Sequence, residues 1–277
     1  MMASLASAAP LSALPFRLLA ELLDRQRTLA VYGLAVLIVT LPLFAVQLVD
    51  QRVLHGVNVW VKPVKFLVSI GVFSLTAAWF FGYIRPERRG ALLMRATVWV
   101  LIVTGSFELL WIGWQASQGL NSHFNNSSAF FAIMYALMGL SAVLLVVTTL
   151  PLAWEICRRP ATGVRPDFAA AIVIGLLLTF VLGGGLGGYM SVQPGHAVGA
   201  EGGHVPVFGW NRSGGDLRIA HFLGIHAQQA LPILAALAAP LAAGLRWGVL
   251  AAGTFFYVAA TIALFVQAVA GRALLPA

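Results

Sequence analysis

AFFAIMYALMGLSAVLLVVTTLPLA, residues 129–153, runs for twenty-five residues without a charge. About 20 apolar residues in a helix cross the hydrocarbon core of a bilayer, so this stretch reads as a transmembrane helix. The rest of the chain repeats it. Apolar segments at about 28–49, 64–84, 95–116, 129–153, 168–191, 219–243 and 249–270 predict seven spans, most of them joined by short polar connections. The chain is 60% hydrophobic and 9% charged, against roughly 25% charged residues in soluble domains. The expected fold class is an all-α integral membrane protein, with one seven-helix domain over 28–277 and a long outer loop at 192–218.

Charge distribution orients the helices. Alternate connections place Arg17, Arg25, Arg27, Arg85, Arg88, Arg89, Arg95, Arg158, Arg159, Arg165 and Arg246 on one side. Arg52, Lys62, Lys65, Arg212, Arg218 and Arg272 fall on the other. Eleven against six predicts a cytoplasmic N-terminus and, after seven spans, a C-terminus outside. Residues 1–27 predict an interfacial amphipathic helix, because Phe16, Leu19 and Leu23 share a face. The net charge of +8 comes with no nucleic-acid motif. It fits basic loops on anionic headgroups, so the bilayer is the expected partner and nucleic acid is not. A single cysteine, Cys157, excludes an intrachain disulfide. Fifteen arginines among seventeen basic residues, with abundant Ala, Leu and Gly, point to a bacterial inner (plasma) membrane.

Against this apolar background the polar residues are conspicuous. In the third span Thr104, Glu108, Trp111 and Gln115 recur every three or four residues, forming one stripe. Glu108 is the one carboxylate well inside a predicted span. Ionisable groups at such depth are costly and mark function, which makes Glu108 a candidate acid/base or ligand. All six histidines fall on the predicted outer side: His55, His123, His196, His204, His221 and His226. His55 is the most isolated and reads as a solvated loop residue. Imidazoles suit zinc, iron or copper, or haem, so His123, His196, His204, His221 and His226 are the candidate metal ligands. No spacing matches a metal motif. His221 and His226, five apart, differ by about 140° on an ideal helix and are not expected to chelate one ion. His226 doubles as a catalytic candidate.

Lys65 and Arg218 are candidate anchors for an anionic group, and Trp111, Gln115 and Gln228 candidate ligand contacts. Lys62 reads as a snorkelling residue. Asp216 precedes the sixth span and is placed to cap it. The run GGGLGG at 183–188 lies inside a span and reads as a surface for close helix approach.

Two functions follow as expectations. The first is a metal- or haem-dependent enzyme whose outward-facing pocket takes a small periplasmic or lipid-like substrate. The second is a transporter, channel or proton-coupled sensor using Glu108 and the histidines as a relay. The inner halves of the spans are almost wholly apolar, which favours a one-sided pocket. A reporter fused after Ala277 is expected to be active outside the cytoplasm; activity inside would reverse the topology.

Overall fold

The computed structural model describes residues 14–205 and 208–275. Six helices in it are long and apolar enough to cross a membrane, and the described residues contain no larger sheet than a two-stranded pair. The protein is therefore an all-α, multi-pass membrane protein.

Helix α1 (Leu14–Val49) is broken once, at Gln26, whose backbone is extended. The Gln26 side chain accepts from the Leu29 amide at 2.9 Å and so caps the longer piece. Residues 1–13 of the expected interfacial helix lie outside the described residues. A two-residue hairpin, β1 (Val53–Leu54) and β2 (Val57–Asn58), turns the chain at His55 and Gly56, both in the left-handed region. Helix α2 (Val61–Phe81) returns, and the short α3 (Pro86–Arg89) leads into α4 (Leu92–Ser117).

Helix α5 (Ala129–Val147) continues almost directly into α6 (Thr149–Arg158). The interruption has a local cause. Pro151 has no amide hydrogen to offer the preceding turn, and the Thr148 and Thr149 hydroxyls turn back onto the Leu145 and Val146 carbonyls. Then follow α7 (Pro166–Leu178), a π-helical turn at Thr179–Gly184, and α8 (Gly185–Ser191). The strands β3 (Ala197–Val198) and β4 (Gly215–Asp216) pair and deliver the chain into α9 (Leu217–Leu237). Helix α10 (Ala243–Val269) packs on α9.

Of the seven expected spans, six reappear as helices of membrane-crossing length and hydropathy. The remaining one is α9, 21 residues long and carrying Arg218, His221, His226, Gln228 and Gln229. Protein rather than lipid surrounds much of it. Gly224 meets Gly183 so closely that a Cβ on Gly224 would lie 2.7 Å from the Gly183 nitrogen. A Cβ on Gly175 would lie 2.8 Å from the Ala227 carbonyl oxygen. Thr179 stitches the pair together, accepting from the Gln228 amide at 3.1 Å and donating to the Ile225 carbonyl. Small residues that let backbones touch are the usual means of holding helices together in lipid.

The two ends of the bundle differ. At the end carrying the α2–α4 and α6–α7 connections, Glu155 pairs with Arg88 and Arg159, and Asp167 with Arg165 and Arg246. Beneath these pairs lies the largest apolar core, which includes Leu29, Phe81, Met94, Leu101, Ile156 and Leu176. All six histidines gather toward the opposite end. We call these the arginine end and the histidine end.

Replacing Gly224 with Ala is expected to destabilise the protein by about 1–3 kcal/mol, the usual cost of overpacking, because the obstacle is backbone. Chemical unfolding in detergent measures it. Unchanged stability would mean that the α7–α9 contact is looser than described.

Candidate functional site

The polar stripe of α4 lies beneath the α4–α5 connection, and its four side chains, Thr104, Glu108, Trp111 and Gln115, are all buried. Two of them hold that connection in place. The Trp111 Nε1–H donates to the Ser122 carbonyl at 3.1 Å, and the Gln115 amide donates to the Asn121 carbonyl at 3.0 Å. Their geometry is that of supports. What they support is His123, whose ring lies near Phe66 and Tyr135. Its Nδ1 stands 3.1 Å from Lys62 Nζ and 3.1 Å from Ser122 Oγ. An ammonium only donates, so Nδ1 accepts and the ring hydrogen sits on Nε2. Burial, then the Lys62 charge, pushes the His123 pKa well below the usual imidazole value, and the ring is neutral.

Glu108 lies deeper in the same group. Its Oε1 is buried without a hydrogen-bond partner, and it has no ion pair among the described residues. The charge that bears on it is that of Lys62, which also feels Lys65 and Arg218. Lys62, read from the sequence as a snorkelling residue, is thus the lysine that bonds to His123 and acts electrostatically on Glu108, while Lys65, the expected anchor for an anionic group, does neither. Both lysines open α2, and nothing in their spacing distinguishes them.

Lys65 and Arg218 meet the long loop instead. Lys65 Nζ donates to the Phe208 carbonyl at 3.0 Å, and an Arg218 Nη2–H donates to the Gly209 carbonyl at 2.6 Å. Arg218 also grips Asp216, which caps α9 through the Arg218 amide, as its position in the sequence implies. Sequence reasoning passed over the hub of this loop, Asn211. Its side chain accepts from the Gly202 and Ser213 amides and donates to the Ala200 carbonyl, while its own amide donates to Asp216. Residues 206 and 207 of the loop lie outside the described residues. Phe208 and Trp210 stack, and Phe222 meets them edge-on and carries His226 on its other contact, with the Phe222 and His226 rings 4.4 Å apart.

The histidine candidates for a metal separate. His221 Nδ1 lies 3.0 Å from the Gly183 carbonyl of the π turn and packs against Gly187. A carbonyl only accepts, so this ring carries its hydrogen on Nδ1. His226 faces Phe222. His204 lies beside the Gly56 turn, and His196 beside Asp216, where its carbonyl accepts from the Leu217 amide. Among the described residues no three His, Cys, Asp or Glu side chains come together as a metal site would require. Gln228, 1% exposed, leaves both its amide atoms unpartnered, and Gln229 bonds to Thr76 of α2 through its Nε2. Comparisons with protein-family models, curated proteins and solved structures find no match for this chain.

The His196 pKa is lowered to about 4, first by burial and then by the Arg218 charge, with Asp216 opposing. Such a ring takes up its proton more readily in the unfolded chain, whose histidines titrate near ~6.5. Its contribution to stability is therefore complete above that pH and is lost as pH falls toward 4. The Asp216 shift acts below that window, since its pKa is lowered from an already acidic value. Thermal unfolding between pH 7 and 4 is expected to show this slope, to which the depressed His123 adds in the same direction, and His196→Asn to make it shallower. An equally steep slope in the variant would assign the proton uptake elsewhere.

Proposed function

We propose that the protein binds a small anionic molecule at the histidine end of its bundle and exchanges a proton with it. Glu108 carries this reading. Of the four buried carboxylates, Glu155, Asp167 and Asp216 lie on arginines, and Glu108 does not. A carboxyl group in so apolar a setting is neutral or leans on a nearby cation. Lys62 supplies that cation and is itself bonded to neutral His123. Glu108 then acts as the acid/base, Lys62 balances the charge that appears or disappears, and His123 offers an Nε2–H donor.

Buried polar atoms nearly always find partners. Among the described residues Glu108 Oε1, His196 Nδ1, His204 Nδ1, Thr254 Oγ1 and both amide atoms of Gln228 lack them, most of them toward the histidine end. That concentration supports a site built around a polar guest. Lys62, Lys65 and Arg218 against Glu108 and Asp216 favour an anion. The apolar core of the arginine end supports a pocket open on one side over a through-channel. We read α9 as the seventh span and the histidine end as outward-facing, on the arginine count. The guest reaches it from the outside or from the bilayer. Because no three His, Cys, Asp or Glu side chains come together among the described residues, the reading routes no step through a metal or haem.

The test uses decanoate as probe, with decanol as its uncharged counterpart, and follows tryptophan fluorescence of the purified protein. Decanoate is expected to bind more tightly than decanol and with a pH dependence that Glu108→Gln removes. Lys62→Met should weaken it by about tenfold or more, matching a charged hydrogen bond of ~1.5–3 kcal/mol. Equal binding of the two probes, or an unaltered pH profile in Glu108→Gln, would sink the reading. So would stoichiometric metal or a Soret band in the purified protein.

A further inference from the structure

At the arginine end, a shallow cleft of about 380 Å³ is lined by Arg25, Gly82, Tyr83, Thr162, Arg165 and Phe168, among others. We infer that it binds the phosphate group of an anionic phospholipid. This site is independent of the one proposed above and lies at the other end of the bundle.

Its first wall is a fixed cation. The Arg25 guanidinium lies 3.9 Å above the Trp79 ring and 4.7 Å from that of Tyr83. Arg25 Nη1 donates to the Trp79 carbonyl at 2.7 Å. Gly82 makes room for it, since a Cβ there would stand 2.3 Å from Arg25 Nη1. A guanidinium held over two aromatic rings by a carbonyl and by Glu21, to which its Nε and Nη2 donate, loses little freedom when an anion arrives. The second cation, Arg165, is anchored to Asp167 and to the Ala235 carbonyl, and its side chain is still 33% exposed.

Charge around the cleft favours an anion. Arg25, Arg165 and Arg246 stand against Glu21 and Asp167. Across the whole end, eleven arginines face five carboxylates. Three features favour a lipid over a free phosphate. The floor is aromatic, with Tyr83 and Phe168 rings 5.3 Å apart. The helical piece leading to Arg25 exposes Phe16, Leu18 and Leu19, side chains suited to acyl chains beside a headgroup. The cleft opens at the ends of apolar helices, where headgroups lie, and basic pockets at that level bind phosphate-bearing lipids.

The experiment is native mass spectrometry of the full chain released from detergent, with phosphatidylglycerol, phosphatidylcholine or soluble glycerol 3-phosphate added. Phosphatidylglycerol is expected to be retained in preference to phosphatidylcholine. Arg25→Gln and Arg165→Gln should each reduce that preference by on the order of five-fold, as one cation at a membrane surface does. Thr162→Phe obstructs the cleft without changing charge and should have a similar effect, whereas Arg95→Gln, exposed at the same end but outside the cleft, should have little. Equal retention of both lipids would overturn the inference. So would a loss in Arg95→Gln equal to those in Arg25→Gln and Arg165→Gln, which would reduce it to general surface charge. Retention of glycerol 3-phosphate as tight as that of phosphatidylglycerol would assign the cleft to a soluble anion and overturn the lipid.

Discussion

The contact between Gly183 and Gly224 is the joint on which the rest depends. Helix α9 carries an arginine, two histidines and two glutamines, a burden that lipid would tolerate poorly. Its backbone touches the α7–α8 rod at Gly183 and Gly175, and Thr179 enters its hydrogen-bond ladder. With α9 held there, its polar side chains meet protein groups: His221 the Gly183 carbonyl, Gln229 the Thr76 hydroxyl, Arg218 the loop and Asp216. No side chain larger than hydrogen could occupy the joint without moving backbone.

A division of labour between the two ends follows. The arginine end is an apolar core closed by paired charges, and its buried carboxylates, Glu155 and Asp167, are each shared by two arginines. Such groups are spent on structure. At the histidine end Asp216 is spent in the same way, as a helix cap gripping Arg218. Glu108 differs because its cation, Lys62, is engaged with His123. Lys65 holds the loop above through the Phe208 carbonyl, whereas Arg218 divides its donors between the Gly209 carbonyl and the Asp216 carboxylate.

Much of the fold was legible because hydrocarbon imposes a simple rule on length and polarity. Residues 129–153 could only be a helix in lipid, and the α4 stripe was visible in the three- and four-residue spacing of Thr104, Glu108, Trp111 and Gln115. Asp216 as a cap was equally plain. Other features were not. Thr148–Pro151 breaks a helix through hydroxyls competing for carbonyls, a local balance that hydropathy does not register. The choice of Lys62 over Lys65 as partner to His123 depends on how the α4–α5 connection folds, and that is set by Trp111 and Gln115 from another helix. The histidines showed where polar chemistry gathers. Their separation into different surroundings depends on long-range contacts that no spacing encodes, apart from the 140° between His221 and His226.

The π turn at Thr179–Gly184 has one more consequence, and it concerns phase. Eight residues of regular α-helix turn through about 800°, which would leave Gly175 and Gly183 about 80° apart. Both nonetheless press against α9. The wider turn between them winds more slowly and brings the second glycine back into line with the first. The rod keeps time with a straight neighbour by carrying an extra residue, and the Gly183 carbonyl near the end of that turn is the one His221 binds. Angular registry and the hydrogen position on a single imidazole are thus settled by the same local irregularity.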